Sequence, residues 1–518
     1  MGEWSRAWKE FVAKNRGIFW ISAFSVVFVY GVMAAGLRIG IDSEVNMTDP
    51  DYLMLSWYTV SRYTLVWLKE LLGMRLLNPF ASNLLMMIML FAAGVGASFL
   101  FYVSSGRAEQ MRGFCLVFPL LFLTHPCYVQ QFSFTLQAFE VAFCLNLCIL
   151  AVFFVSRFAV RPGKGTLGFL AAGIVCMALG FGGYQALVPV YMAAALASYL
   201  IYYEFHENEK RGFYWKTALC HGGAFLGGFV LYQLVGKAVL YFRFGPGFSA
   251  GYLDEQLLWK THDAATCIGF IKSYLRMVVL GEGDFYGIAF LIASLVFALR
   301  LLWVWMRKRR REFVFYGAAA LALVCSPFFL SFYQGGALMM RTQMTLPFVS
   351  AFFCASCLFF AGTAVRWRKF CLEAVAVLLM LTGLRQGVTS SRAAFTAQMV
   401  YENDREVARQ IIQEMHRLGA ADEGRHIAML GQYRPDPALS WSMRFESIGY
   451  SVFEWDYSGP VGVSRRGIGF MNAIGFPYEA ATEEEYAMAL EAGEEMAVWP
   501  SAGSVRLVDD VVVVKFSD

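Results

Sequence analysis

The sequence predicts an all-α polytopic membrane protein with about eleven transmembrane helices, followed by a small α/β domain outside the membrane. Three observations predict this fold class. Of the 518 residues, 58% are hydrophobic and only 16% are charged, whereas a soluble domain usually carries about a quarter charged residues. Apolar runs near the ~20 residues that cross a bilayer recur from residue 17 to residue 390. Beyond them, charge is spread evenly, as in a water-soluble domain.

Eleven apolar segments account for the transmembrane helices. The third is short and contains Pro119, which weakens the prediction of a continuous helix there. The predicted spans cover residues 17–37, 79–103, 112–128, 137–157, 166–182, 184–204, 218–240, 285–306, 313–332, 344–365 and 370–388.

Basic residues alternate along the loops between these segments. Lys and Arg in short loops stay on the cytoplasmic side, and every second loop of this chain is basic. The sequence therefore predicts a multi-pass protein of the bacterial plasma membrane, with a cytoplasmic N-terminus and an outer C-terminal domain. The net charge of +4 is too small and scattered to predict nucleic-acid binding. The basic residues lie before the first span and at 107–112, 157–164, 210–216, 307–311 and 366–369.

The loop after the first span carries the strongest indication of chemistry. It covers residues 38–78 and holds Asp42 and Glu44 on the predicted outer face. Carboxylates at a membrane interface are well placed to accept a proton or to hold a metal ion. An apolar stripe over residues 52–72 then predicts a helix lying along the membrane surface. Residues 241–284 form a second large outer loop.

The tail from residue 391 to 518 is predicted to be the extracytoplasmic α/β domain, which leaves residues 1–390 as the transmembrane domain. The tail contains neither a Gly-rich phosphate loop nor a spacing typical of metal ligands. A structural or acceptor-binding role is therefore favoured over a second catalytic centre. The predicted elements are helices at 404–418 and from Thr482, and strands at 426–431, 451–455 and 511–516.

Several short motifs follow one another along the membrane portion. They are IDSE at 41–44 with DP at 49–50, SW at 56–57 with SR at 61–62, QFSF at 131–134, GYQ at 183–185, and Arg341 with Pro347. In order and position they resemble the type II O-antigen glucosyltransferase family (Gtr type II). The resemblance implies a membrane glycosyltransferase of the C-type fold (GT-C), with interfacial helices in its outer loops. Such an enzyme takes a sugar from a polyprenyl-phosphate carrier and joins it to an acceptor outside the cytoplasm.

The resemblance also implies roles for charged residues. Asp42 or Glu44 would act as general base on the acceptor hydroxyl. Arg62 and Arg341 would bind the donor phosphate, whose geometry a guanidinium matches in a bidentate way. Many relatives carry two adjacent acids, whereas this chain places Ser43 between its two carboxylates. The identity of the base is therefore open at this point.

Gln131, Tyr184 and Gln185 are candidates for binding sugar hydroxyls of the donor or the acceptor. Glucose is implied only by the family name, and the expected acceptor is an envelope polysaccharide or a lipid-linked glycan. No cofactor is predicted. A divalent cation at Asp42 and Glu44 would need more ligands, and the spacing identifies no third one.

Each candidate also has a structural interpretation. Asp42 and Glu44 could be solvated loop acids. Arg62 could reach lipid phosphates from an interfacial helix, and Arg341 could be the partner in a structural ion pair. The three candidate sugar ligands could instead be polar groups that pack helices together.

Two other functions suit the same compartment. A lipid-linked sugar flippase or a proton-coupled carrier usually has ionisable groups within its spans and often internal repeats. Here the spans hold few such groups, chiefly Glu140 and Glu373 near predicted ends, and the chain shows no repeat. A polysaccharide polymerase would suit a long outer loop in the second half, where residues 241–284 are only moderately long. Both are alternatives to the glycosyltransferase.

Overall fold

A computed structural model describes residues 2–36, 38–206, 211–248, 256–283, 285–308, 313–361, 368–436, 438–439 and 442–518. Lys210, the basic residues at 309–311 and Arg366, which bear on the predicted orientation, lie outside the described residues. So do residues 249–255 and 284 of the loop 241–284, which is predicted to face outward.

Most of the described chain is helical, because an apolar segment in lipid must satisfy its backbone hydrogen bonds internally. Short 3-10 turns separate several helices, including one at Met340–Thr342. The described helices are α1 (Gly2–Lys14), α2 (Arg16–Ala35), α3 (Ser43–Thr48), α4 (Pro50–Thr59), α5 (Tyr63–Leu71), α6 (Pro79–Ser104), α7 (Met111–Leu123), α8 (Pro126–Phe132), α9 (Ala138–Val160), α10 (Leu167–Phe181), α11 (Val188–Phe205), α12 (Arg211–Phe244), α13 (Ala264–Leu280), α14 (Ala289–Lys308), α15 (Phe313–Cys325), α16 (Phe329–Gln334), α17 (Thr345–Ala361), α18 (Arg368–Arg417), α19 (Ser464–Ala473) and α20 (Glu483–Gly493).

Helices lie at all eleven positions where the sequence predicts a span. Within the described residues, eight helical segments are long and apolar enough to cross a membrane, and the bent pair α7 and α8 would make a ninth. The apolar stretches at Ala289–Trp303 and Thr345–Leu358 are shorter. Several apolar helices thus indicate a multi-pass membrane protein, while the count of eleven stays a prediction.

The third predicted span is bent by 51° between α7 and α8. The bend lies at Thr124 and His125, whereas Pro119 is accommodated inside α7. His125 has an extended ψ of 128°, as expected for a residue that precedes a proline. Its ring also accepts a hydrogen bond of 3.3 Å from the backbone N–H of Cys127. The bend starts α8, which carries Gln131 into the bundle.

The structure divides the predicted helix over residues 52–72 into α4 and α5. Ser61 has a φ of +58°, a left-handed conformation that interrupts a helix. The backbone N–H of Arg62 then donates to the carbonyl of Trp57 at 2.9 Å. The hydroxyl of Tyr63 donates to the carbonyl of Ala178 at 2.9 Å. The prediction of one surface helix is wrong, because α5 packs against the helical bundle.

Glu140, an ionisable residue predicted near the end of a span, pairs with Lys69 of α5. Their charged atoms lie 2.8 Å apart, and the two side chains are 0% and 1% exposed. Removing one partner of such a buried pair typically costs about 3–5 kcal/mol. The pair therefore fastens α5 to the first turn of α9.

The C-terminal domain is built on a sheet of order β2-β1-β4-β3. The first strand pairs in parallel with both of its neighbours, whereas the last two strands are antiparallel. Its central strands are apolar because helices cover both faces of the sheet. The strands are β1 (His426–Leu430), β2 (Glu479–Ala480), β3 (Val505–Val508) and β4 (Val511–Lys515).

The strand predicted at 451–455 is wrong, because a 3-10 turn forms at Val452–Glu454. Ser451 accepts a hydrogen bond of 3.1 Å from the backbone N–H of Phe453. Glu454 accepts one of 3.0 Å from the N–H of Ser451. This reciprocal capping box satisfies the backbone donors locally, in place of a strand ladder. The strands predicted near 426 and 511 and the helix from Thr482 are confirmed as β1, β4 and α20.

The long helix α18 joins the two parts of the chain. It runs without interruption to Arg417, and the predicted boundary at 390/391 falls within it. The C-terminal domain docks on the bundle through the loop after Phe445. Gln130 donates 2.7 Å to the carbonyl of Phe445 and accepts 3.1 Å from the hydroxyl of Ser447. Helix α19 packs on α3, which places the domain over the acidic pair.

Candidate active site

The two acids lie where the loop between α2 and α6, which is predicted to face outward, meets the C-terminal domain. Asp42 precedes α3 with a φ of +64°, a conformation that Asp adopts more readily than most residues. Glu44 follows in the first turn of α3. Its side chain is 1% exposed, whereas that of Asp42 is 43% exposed. The two carboxylates therefore differ strongly in their contact with solvent.

Arg466 of α19 binds both acids. Its Nη1 donates to Glu44 Oε1 at 2.6 Å and to Asp42 Oδ1 at 3.0 Å. Its Nε donates to Asp456 at 2.7 Å. These carboxylates stabilise the cation and raise the pKa of Arg466 above its ordinary value, although burial opposes the rise. The C-terminal domain thus supplies a guanidinium to a pair of acids more than 400 residues earlier in the chain.

The carboxyl of Glu44 has a pKa near neutrality. Burial raises the pKa of its carboxyl to about 7, and the charge of Arg466 opposes this rise. The second oxygen, Oε2, is buried without a hydrogen-bond partner among the described residues. A Cβ at Gly469 would lie 3.1 Å from Glu44 Cγ, so glycine permits α19 to approach this closely. A carboxylate with a pKa near neutrality is suited to general-base catalysis.

Arg62 lies at the centre of a second polar cluster. Its Nη1 donates to the side-chain oxygen of Gln137 at 3.2 Å, and its Nε lies 3.4 Å from the side-chain oxygen Oε1 of Gln185. Its guanidinium also stacks over the ring of Tyr184 at 4.9 Å. The amide of Gln185 donates to the carbonyl of Val60. Arg62 therefore faces the bundle, which contradicts the interpretation that it reaches lipid phosphates.

Arg341 joins this cluster through its backbone and its side chain. The Tyr184 hydroxyl donates to its carbonyl at 3.3 Å, and its guanidinium lies over the ring of Phe134 at 5.0 Å. Its backbone N–H donates to Glu446 of the C-terminal domain at 3.4 Å. The neighbouring N–H of Met340 also donates to Glu446. A second residue of the C-terminal domain thus fixes the turn that carries Arg341.

A small cleft connects the acidic loop with the second cluster. Ile41 and Ser43 line it on one side and Phe134 on the other. Arg38 also lines the cleft and donates to the carbonyl of Ser133 at 3.4 Å. Burial lowers the pKa of Arg38 to about 10, so it stays cationic at neutral pH. Arg38 therefore places a guanidinium in the cleft, which Ile41 and Ser43 of the acidic loop also line.

Gln131 is fully buried in α8, and neither atom of its amide has a hydrogen-bond partner among the described residues. An unsatisfied buried amide costs about 1–3 kcal/mol. Such a group is an expected place for a bound hydroxyl or water. No described contact links Gln131 directly to the acidic pair.

Four residues of this region were missed in the sequence. Gln137, Glu446 and Arg466 carry no motif of their own, and their roles arise from tertiary contacts. Arg38 had a detectable signal, since it is a basic residue on the predicted outer side next to the acidic motif. In the described part of the chain, no group of three or more His, Cys, Asp or Glu side chains is arranged to hold a metal ion.

The family described as Glucosyl transferase GtrII matches residues 37–354, which is more than half of the chain. The chain belongs to this family. The GtrII match includes both acids, Arg62 and Arg341, whereas the whole C-terminal domain with Arg466 lies beyond it. No curated protein and no solved structure shows a significant match. Membership of GtrII indicates a glycosyltransferase, and the apolar helices indicate that it is embedded in a membrane.

Proposed function

We propose that this GtrII protein transfers a hexose from a polyprenyl-phosphate carrier to a cell-envelope polysaccharide or lipid-linked glycan. The family description supports glucose as the hexose. Transfer would take place on the outer face of the bacterial plasma membrane, with the N-terminus in the cytoplasm. The observation that carries the proposal is the buried carboxyl of Glu44, with its pKa near 7, beside Asp42 and the guanidinium of Arg466.

Glu44 is the proposed general base. It takes the proton of an acceptor hydroxyl while the hydroxyl oxygen forms a bond to the anomeric carbon of the sugar. The bond from that carbon to the phosphate oxygen breaks, and polyprenyl phosphate leaves with the bonding electron pair. A single displacement of this kind inverts the anomeric centre. Arg466 contacts both acids and favours the ionised base, whereas the negative charge of Asp42 helps to raise the pKa of Glu44.

Arg62 and Arg341 are the proposed ligands of the donor phosphate, and Arg38 is a third. A guanidinium held in a site with little water stabilises the charge that develops on a departing phosphate. Arg62 is held by two glutamine side chains, and Arg341 by contacts of its turn with Glu446. Their positions are therefore fixed before the donor arrives, which favours transition-state stabilisation.

The proposed sugar ligands are Gln131, Tyr184 and Gln185. Gln131 is supported by its unsatisfied amide, which would hydrogen-bond a sugar hydroxyl. Tyr184 and Gln185 contact Arg62 or the Arg341 backbone, so they would position these cations as well as contact the sugar.

The donor class is tested with the purified full-length protein in lipid nanodiscs and an envelope glycan acceptor. Labelled glucose is supplied either as polyprenyl-phosphate-glucose or as a nucleotide-glucose. We expect label in the glycan only from the lipid-linked donor. Transfer from the nucleotide sugar alone would contradict the proposed donor. Export of lipid-linked sugar without transfer would favour the flippase.

A further inference from the structure

Three carboxylates from two parts of the chain converge on one guanidinium. Asp42 and Glu44 come from the loop between α2 and α6, and Asp456 comes from the C-terminal domain. Nη1 of Arg466 lies 2.6 Å from Glu44 Oε1 and 3.0 Å from Asp42 Oδ1. Its Nε lies 2.7 Å from Asp456 Oδ2. Carboxylates held this close repel one another unless a cation lies between them, and here the guanidinium supplies that cation.

The same kind of acidic cluster is a common setting for a divalent cation. Ca²⁺ binds carboxylate oxygens at about 2.3–2.6 Å, and Mg²⁺ binds them at about 2.0–2.1 Å. An ion at the position of Arg466 Nη1 would lie 2.6 and 3.0 Å from the oxygens of Glu44 and Asp42. The acids therefore have the wider spacing of N–H···O bonds, in agreement with the absence of a metal-holding group among the described residues.

The three acids differ in their freedom to move. Glu44 is 1% exposed, whereas Asp42 and Asp456 are 43% and 53% exposed. The second oxygen of Glu44 is buried without a hydrogen-bond partner among the described residues, so it has room in its hydrogen-bonding capacity for a further ligand. Shortening the side chain of Arg466 would therefore leave a space that solvent reaches from the two exposed acids, with a fixed carboxylate at its base.

Arg466 is suited to act as a permanent cation at this place. Burial lowers its pKa, but the neighbouring carboxylates outweigh this effect and raise the pKa above its ordinary value. A guanidinium keeps its charge under all conditions in which proteins work. As a side chain of α19 it cannot be lost to a chelator. The donor phosphate is anionic, and a cation between the acids reduces the repulsion that they exert on it.

We propose that Arg466 serves as a built-in cation of the transfer site, at a place where a divalent metal ion would otherwise hold the acids together. This inference rests on the proposed glycosyl transfer and adds two properties to it. Transfer needs no divalent metal ion at the acids. Removal of the guanidinium opens a site for such an ion at Asp42, Glu44 and Asp456.

Metal binding tests the proposal without a measurement of activity. Mn²⁺ is titrated into purified full-length wild type, R466A, R466A/D42N and the control R465A, which shortens the exposed neighbouring arginine. Free Mn²⁺ is followed by electron paramagnetic resonance. We expect R466A to bind Mn²⁺ at least about tenfold more tightly than wild type and R465A, because carboxylates are preferred ligands of such ions. R466A/D42N should lose this gain.

Two results of the titration would overturn the proposal. One is equal Mn²⁺ binding by wild type and R466A, and the other is the absence of binding by R466A. If R466A does not fold, R466Q takes its place, because glutamine removes the charge and keeps most of the length of the side chain.

Transfer from polyprenyl-phosphate-glucose in the presence of EDTA gives a second readout. Wild type should keep its rate in EDTA, whereas R466A should be about tenfold or more slower and should regain part of its rate when Mn²⁺ is added. Loss of wild-type transfer in EDTA, restored by Mn²⁺, would overturn the inference and leave the proposed function standing. If wild type transfers sugar from no lipid-linked donor, the proposed function fails, and the Mn²⁺ titration still decides whether Arg466 occupies a cation site.

Discussion

Arg466 lies 2.6 Å from Glu44, across the contact between the C-terminal domain and the loop between α2 and α6. The same nitrogen lies 3.0 Å from Asp42. One guanidinium thus connects the C-terminal domain to both acids that are proposed to act in transfer. The domain lies beyond the residues that match the GtrII family, so this contact adds a feature of this chain to the site.

Replacing Arg466 should change how the transfer rate depends on pH. The cation favours the ionised form of Glu44, so R466Q should raise the Glu44 pKa further and move the rising limb of the pH–rate profile to higher pH. R466K keeps the charge, so its pH–rate profile should lie between those of R466Q and wild type. Transfer is measured from about pH 5.5 to 9, with R465Q at the exposed neighbouring position as control. A uniform loss of rate at every pH would indicate a purely structural role.

The stability of the protein should also depend on pH through the titration of Glu44. Because burial raises the native pKa from 4.5 to about 7, the native state binds more protons than the unfolded state in this interval. The contribution of Glu44 to the free energy of unfolding is therefore complete below about pH 4.5 and is lost as the pH rises through 7. The loss is about 3 kcal/mol at most. Tm is measured from pH 4.5 to 8 for wild type and E44Q. E44Q should show a smaller fall, and parallel curves would contradict the buried, raised-pKa carboxyl.

Closing the space at Gly469 should separate the domain from the acidic pair. A Cβ there would lie 3.1 Å from Glu44 Cγ, and the two further methyl groups of valine would force α19 away. We expect G469V to lower stability by about 1–3 kcal/mol and to reduce transfer at pH 7. G222V is the control, since a Cβ at Gly222 meets nothing within 4 Å. Wild-type transfer by G469V would show that the close approach of α19 is dispensable.

The geometry of Arg62 should matter as much as its charge. Lysine keeps the charge but loses the planar fork that contacts the two glutamines and the ring of Tyr184. We expect R62K to lower kcat/KM for the lipid-linked donor by about 10-fold to 100-fold, the effect of one or two charge-assisted hydrogen bonds. R75Q, at an exposed position between α5 and α6, is the control. Equal kcat/KM in R62K and wild type would remove Arg62 from the phosphate site.

The parts of the fold that depend on local pattern could be predicted from the sequence. Apolar runs predicted where helices lie, and the N-cap Thr482 with its acidic first turn predicted the helix α20. The break at Ser61 could not be predicted, because an apolar stripe continues across it. The turn at Val452–Glu454 was missed because its residues also suit a strand, and side-chain capping decided the outcome.

Some residues of the candidate site could likewise be predicted from local motifs, and others could not. Its acids and Arg62 lie in short motifs that a single segment can reveal, whereas Arg466 reaches the acids only through the docking of a distant domain. The raised pKa of Glu44 depends on burial under α19, a property of the tertiary structure. The sequence alone could not distinguish the two carboxylates for this reason.

Sugar transfer by E44Q and D42N, compared with wild type in nanodiscs at pH 7.5, shows directly whether Glu44 is the base. Polyprenyl-phosphate-glucose is the labelled donor, and E491Q, at an exposed glutamate of the C-terminal domain, is the matched control. If Glu44 is the base, E44Q should lose about 10²–10⁴-fold in rate, while D42N should lose less and E491Q nothing. Wild-type transfer by folded E44Q would rule out Glu44 as the base, and a larger loss in D42N would assign the base to Asp42.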